Sequence, residues 1–237
     1  MAAPSYVSSE VAHGAVVSAI TASDFSLSGG SNRKVFASIH TEDAAASGDV
    51  PCTGITFNAV AMTKVDEVYP TANQRSVGLW YMDEASLPST GTYDVVASLT
   101  GDVSRVALII TELTGAKSDI DTSQTQITTS NTSTVEITPV DNESMIIVVG
   151  VHAVNGTTAT PETSDYTAIE RQEFSFPTGA ENAAAYMSTG TLETAGQVTA
   201  AINWSGAGAP VGIIAAAFGP AAGGLSIPIA MSYYKQQ

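Results

Sequence analysis

The chain carries two copies of one pattern, and this repetition limits its fold more than any single residue does. Residues 81–101 lie over residues 186–206 without a gap. Tyr81-Met82 meets Tyr186-Met187, Leu87 meets Leu192, Gly91 meets Gly196, and Gly101 meets Gly206. The run Val106 to Ile110 then meets Val211 to Ala215, and upstream Val35 to His40 meets Ile147 to His152. Self-similarity of this kind means one supersecondary unit used twice.

The unit is built of strands. Two-residue alternation and short β-branched runs dominate, and helical periodicity is scarce. Thr92 to Thr100 reads as a strand between Gly91 and Gly101, and Gln197 to Trp204 is its counterpart. Arg105 to Leu113, Val211 to Phe218, Val35 to His40 and Met145 to His152 are nearly continuous apolar runs. Such runs belong to strands covered on both faces. Gly54 to Val65 reads as a hairpin turning at Asn58-Ala59, since Asn tolerates the left-handed conformation. Asp165 to Phe176 takes the equivalent place in the second copy.

These elements predict an all-β chain, a jelly-roll-like β-sandwich built from two internally repeated units with an extended C-terminal arm. The divisions are an N-terminal segment at 1–22, a first repeat at 23–117, a Thr/Ser-rich connector at 118–134, a second repeat at 135–221 and the arm at 222–237. Two tandem sandwiches fit the pattern. One continuous two-sheet sandwich is preferred, because about six strands with short turns make a thin independent core. The connector alternates around Thr125-Gln126-Ile127-Thr128 and could itself be an edge strand.

Charge excludes some partners. Formal net charge is -15 with only 8 Lys and Arg, and charged residues make up 13% of the chain, about half the usual ~25%. Nucleic-acid binding by counterion release needs a basic stripe, and anionic membranes need the same. Neither partner is expected. With one cysteine, Cys52, no intrachain disulfide can form. The opening Met1 to Tyr6 lacks a basic segment followed by an apolar run, so the expectation is cytoplasmic synthesis without a signal peptide. No apolar stretch reaches the ~18 residues of a membrane span.

No residue set points to catalysis. His40 and His152 overlie one another in the repeat, which argues for a shared structural task, and neither they nor His13 has partners at metal-ligand spacing. Glu42, Asp43, Asp49, Asp66-Glu67 and Asp83-Glu84 read as solvated loop carboxylates rather than a calcium site. Cys52 has no activating neighbour. No nucleophile elbow or phosphate loop is present, and no cofactor is expected. Trp80, Tyr81 and Trp204 would serve carbohydrate stacking if exposed, although core packing is the commoner fate of such residues.

One resemblance adds to this. Gly54-Ile55-Thr56-Phe57-Asn58-Ala59-Val60-Ala61-Met62-Thr63, Val77-Gly78-Leu79-Trp80-Tyr81-Met82, Leu87-Pro88-Ser89-Thr90-Gly91 and Leu113-Thr114-Gly115 resemble a β-sandwich family common among structural proteins of tailed bacteriophages. That family usually has Asn-Gly where this chain has Asn58-Ala59. The resemblance covers roughly residues 23–221, carries no catalytic residues and implies a virion component assembled in the host cytoplasm. The function it implies is a non-enzymatic capsid decoration or cement subunit. The alternatives are a tail or fibre subunit, or a carbohydrate-binding adhesin. Expected partners are further copies of the chain, as in a trimer, and the major capsid protein or other virion proteins. The candidate contact residues are Pro4, Tyr6 and Val7 near the start, and Ile227, Pro228, Ile229, Met231, Tyr233 and Tyr234 in the arm. Such contacts work by buried area and strand addition.

Overall fold

The computed structural model describes residues 3–43, 51–71, 75–152, 158–175, 184–205 and 211–222. Among the described residues all regular elements are strands, seventeen of them. The first unit holds β1 (Ser5–Gly14), β2 (Val17–Leu27), β3 (Lys34–Glu42), β4 (Cys52–Phe57), β5 (Val60–Ala61), β6 (Thr63–Thr71), β7 (Arg75–Asp83), β8 (Gly91–Val103) and β9 (Arg105–Thr114). The second holds β10 (Thr122–Thr128), β11 (Thr132–Ile137), β12 (Ser144–His152), β13 (Ala159–Pro161), β14 (Thr167–Ser175), β15 (Ala184–Leu192), β16 (Val198–Trp204) and β17 (Val211–Phe218).

Strand order makes the repeat explicit. The first unit pairs a five-stranded sheet, β1-β9-β3-β7-β6, with a four-stranded sheet, β2-β8-β4-β5. The second pairs β10-β17-β12-β15-β14 with β11-β16-β13. Each strand of the second unit takes the place of one in the first, and only β5 has no counterpart. All the pairings are antiparallel. The strand predicted at Val211 to Phe218 is β17, and those predicted at Val35 to His40 and Met145 to His152 lie within β3 and β12. The Gly54 to Val65 hairpin also forms, with Phe57 opposite Val60 across a turn at Asn58 and Ala59. Of the expected second hairpin at Asp165 to Phe176, the described residues, 165–175, form no hairpin. They contribute one strand, β14, in the place of β6, while β13 stands in for β4.

Three apolar clusters lie between four sheets. Phe25, Phe57, Trp80 and Leu108 lie between the two sheets of the first unit. Val148, Tyr186, Trp204 and Ile213 do the same in the second. The remaining cluster joins Phe36, Leu79, Ile109 and Leu113 of one five-stranded sheet to Ile147, Met187, Ile214 and Phe218 of the other. The molecule is therefore a stack of four layers with the five-stranded sheets inside. This is why β3, β12 and β17 are buried at every position. The edges cross-match as well: β1 lies on β14, and β10 lies on β6.

The preferred single two-sheet sandwich is thus replaced by two sandwiches packed back to back. The thin core of each unit is compensated from its other side, where the second unit covers it. The connector is not a free tether. It contains β10, the edge strand of the second five-stranded sheet, and its N-terminal part is held by the bond from the Asp121 N–H to the Ala217 carbonyl at 2.9 Å.

The overlay of the repeats is right for some strands and off phase for others. Val95, Ala97 and Leu99 face the first unit's interior as Ala200, Ile202 and Trp204 face the second's. By contrast, Tyr81 packs towards the other unit while Tyr186 packs into its own sandwich. A shift of one residue turns every side chain of a strand to the opposite face, so β7 and β15 do not superpose in the sequence register.

Candidate interaction surface

The N-terminal contact residues lie on β1, and part of their reach is used within the chain. The Tyr6 ring lies under the Arg171 guanidinium at 3.7 Å. Ser9 Oγ donates to the Arg171 carbonyl at 3.2 Å and accepts from Gln172 Nε2 at 3.1 Å. The His13 ring stacks on Phe174 with centroids 4.4 Å apart. All these partners belong to β14, so β1 is a clamp between the units. Pro4 is buried, and Val7 is the extra residue of a bulge between Tyr6 and Ser8. Ile227, Pro228, Ile229, Met231, Tyr233 and Tyr234 lie outside the described residues.

A second clamp closes another part of the seam. Lys34 is fully buried, with Nζ 4.4 Å from the centre of the Tyr81 ring and 4.9 Å from that of Phe218. The ammonium pairs with Asp83 and donates to the Ser118 carbonyl at 2.6 Å. Burial lowers its pKa, and Asp83 opposes the shift. Arg171 and Lys34 thus do corresponding work, each cation held against tyrosine where the units meet. Sequence reasoning passed over both. The only available signal was a single charged residue beside or within a strand pattern, such as Lys34 immediately before Val35.

The aromatic residues considered for carbohydrate are differently placed. Trp80 is 2% exposed and Trp204 1%. The Trp204 indole donates to Ser133 Oγ at 3.3 Å and lies against His152 and Tyr186. Neither indole offers a face to a sugar. Tyr81 is half-buried, with one face taken by Lys34 and its edge against Phe218.

The histidines do not share one task. His40 is on the face of β3 turned to the second unit, where Nε2 meets Ser38 Oγ at 2.9 Å and the ring bonds the backbone of Gly150. Burial pushes its pKa down to about 3, which keeps it neutral. His152 faces the other way, into its own sandwich, with its ring 5.0 Å from that of Trp204. The equivalence drawn from the repeat fails by one residue, the same phase error as in β7.

The carboxylates are largely engaged in structure. Glu42 pairs with Arg75 at 2.7 Å, and Glu67 accepts from Lys64 at 2.6 Å and from the Cys52 N–H at 3.0 Å. Glu112, fully buried, accepts from both the N–H and the hydroxyl of Ser28, at 3.0 and 2.9 Å. Desolvation pushes the Glu84 carboxyl up, but the Arg33 N–H and guanidinium outweigh it and hold its pKa below the usual value. Asp49 lies outside the described residues. Among the described residues no three His, Cys, Asp or Glu side chains gather as metal ligands. The Cys52 thiol is buried and pushed up to about 11, chiefly by desolvation, so it is a poor nucleophile.

The surface has shallow polar hollows on the second unit. One of about 520 Å³ lies over the three-stranded sheet between Thr134, Glu162, Asp165 and Thr199. Another, of about 440 Å³, runs between β10 and β11 and is lined by Gln124, Gln126, Thr128, Thr134 and Glu136. In the first, Ser164 Oγ donates to Asp165 Oδ1 at 3.2 Å and Thr132 Oγ1 to Glu162 Oε2 at 3.4 Å, both in exposed positions. Among the described residues no helix is long and apolar enough to cross a membrane. Comparison with known proteins returns no matching family model, no matching curated protein and no matching solved structure.

Proposed function

We propose that the chain is a non-enzymatic virion structural protein of a bacteriophage, a capsid decoration or cement subunit that acts by burying surface against other proteins. Each unit reads as jelly-roll-like, its chain crossing repeatedly between two antiparallel sheets. The observation that carries the proposal is the back-to-back join of the two units. It takes up the facing apolar surfaces of both five-stranded sheets and both cation–tyrosine clamps. What remains outside is a polar, acidic surface with strand edges, suited to bridging other proteins and poorly suited to chemistry. The carbohydrate alternative is weakened by the burial of Trp80 and Trp204.

The test is to incubate the purified chain with undecorated capsids and follow sedimentation. Saturable binding at a fixed ratio to the major capsid protein is the expected result. Binding to tails but not capsids would move the protein to the tail. A chain that ignores both, yet is retained on a glycan array, would overturn the proposal in favour of the adhesin.

A further inference from the structure

Sheet edges are aggregation templates, and proteins guard them with bulges, charges, prolines or shortness. Nearly every edge here is guarded. β1 has a bulge and Glu10, and β2 has two register shifts and Asp24. β6 carries Lys64, Asp66, Glu67, Pro70 and two register shifts. β14 carries Glu170, Arg171, Glu173 and a bulge. β11 has Glu136, β13 ends in Pro161, and β5 has two residues. β10 is the exception among the described edge strands. Its seven residues, Thr122 to Thr128, include no charge and no proline, and its register against β17 runs without a shift.

The unpaired side of β10 can be identified. The Asp121 N–H donates to the Ala217 carbonyl at 2.9 Å, so that carbonyl points at β10, and Thr122, which stands opposite Ala217, turns its own N–H and C=O towards β17. Alternation along an antiparallel strand then turns the N–H and C=O groups of Ser123, Thr125 and Ile127 outwards. Thr125 borders the groove between β10 and β11, and Ile127 is 46% exposed.

We propose that this outer edge of β10 is a strand-addition site, and that its occupant is the segment at residues 225–234 of a second copy. The inference deepens the reading of the chain as a multi-copy assembly subunit and rests on it. Charge supports the pairing. Copies of a chain with net charge -15 repel one another, yet neither β10 nor residues 225–234 contains a charged side chain. Length supports it too, since ten extended residues span about 33 Å and seven about 23 Å. Pro228 sets the phase. Its missing N–H must point away from β10, which leaves the amides of Ile227, Ile229 and Met231 for pairing.

The path of the chain favours a second copy over the same one. After β17, Pro220 bridges Ala116 and the Ala221 N–H donates to the Gly115 carbonyl at 2.7 Å. The chain therefore runs beside residues 117–115 towards the end of β9, away from the course of β10. An edge on one copy joined to an arm from the next is a heterologous contact, which gives a ring such as a trimer where the rotation closes and an open filament where it does not.

The experiment measures the mass of the full-length chain against concentration by light scattering. Thr125→Pro removes one outward N–H and leaves the β10–β17 ladder intact, and Gln124→Lys with Gln126→Lys places guards on exposed positions. Ile229→Lys disables the arm. The wild-type chain is expected to self-associate, and each variant about tenfold more weakly or worse. Mixing Thr125→Pro with Ile229→Lys should restore one good contact, an intact arm on an intact edge, and give a one-to-one heterodimer. Misfolding would not produce that rescue. A wild-type chain that stays monomeric, variants that associate unchanged, or a mixture without heterodimer would each overturn the site. Capsid binding by a strictly monomeric chain would overturn it while leaving the proposed function standing. Self-association that depends on β10 without any capsid binding would support the site and count against the function.

Discussion

Ala59 sits at the second corner of the β4–β5 hairpin with φ of 61°, after Asn58 at 48°. Two successive positive φ values are what a tight hairpin turn needs to match strand twist. Asn accommodates this, but Ala does so at a cost of roughly 1–2 kcal/mol. Ala59→Gly removes that strain and adds about 0.4–1 kcal/mol of unfolded-chain entropy. The strain is the larger effect, so the substitution should stabilise the protein by up to about 1 kcal/mol, seen as a higher urea midpoint at an unchanged slope. His40 makes an opposite kind of prediction. Its folded pKa, about 3, lies below the ordinary 6.5. Above pH 6.5 it is neutral in both states and its contribution is complete. Between 6.5 and 3 the unfolded chain takes up a proton that the folded chain refuses, so stability falls as pH falls, by at most about 1.36 kcal/mol per pH unit. Urea titrations at pH 7, 6 and 5, above most carboxylate titration, should show a shallower decline for His40→Gln than for the parent. Equal slopes would show that His40 is not held neutral.

At the scale of elements, one close approach sets the distance between the units. A side chain on Gly212 of β17 would place its Cβ 2.9 Å from Val68 Cγ2 and 3.2 Å from Pro70 Cδ of β6. Gly212→Ala should therefore cost about 1–3 kcal/mol by overpacking. Val68→Ala alone should cost a cavity, but the double variant should recover part of the loss, a coupling readable in a double-mutant cycle. Purely additive losses would mean the strands do not meet as described. The same strands show how far the sequence could be read. Strand positions were legible because alternation and glycine boundaries are local, as in Thr92 to Thr100. The number of sheets was not. An apolar run such as Val211 to Phe218 announces cover on both faces without saying what covers it, and here one cover is the other unit. The faces of β3 and β7 were misread because residue identity, a tyrosine on a tyrosine and a histidine on a histidine, outweighed phase. The seam could not be found at all from sequence, since Lys34 meets Phe218 and Arg171 meets Tyr6 only after long-range pairing.

For the molecule as a whole, the seam decides whether each half can stand alone. The five-stranded sheet of the first unit presents Phe36, Val77, Leu79, Ala107, Ile109 and Leu113 to the second unit. Freed of that cover, these residues would form a contiguous apolar face of a size that soluble monomers rarely expose. Residues 1–117 produced alone should therefore precipitate or pair through this face, reproducing with two first units the back-to-back contact of the native chain. Leu79→Lys with Ile109→Lys should give the isolated half a soluble, monomeric form, because both positions then face water. In the full chain the same pair should destabilise by more than about 4 kcal/mol, because two unpaired charges would be buried in a closed seam. Chromatography of the half and thermal melts of the full chain read the two effects separately. A half that is monomeric without the lysines would mean the units are independent domains in loose contact. The four-layer body would then lose its claim to act as one rigid bridge between neighbouring proteins.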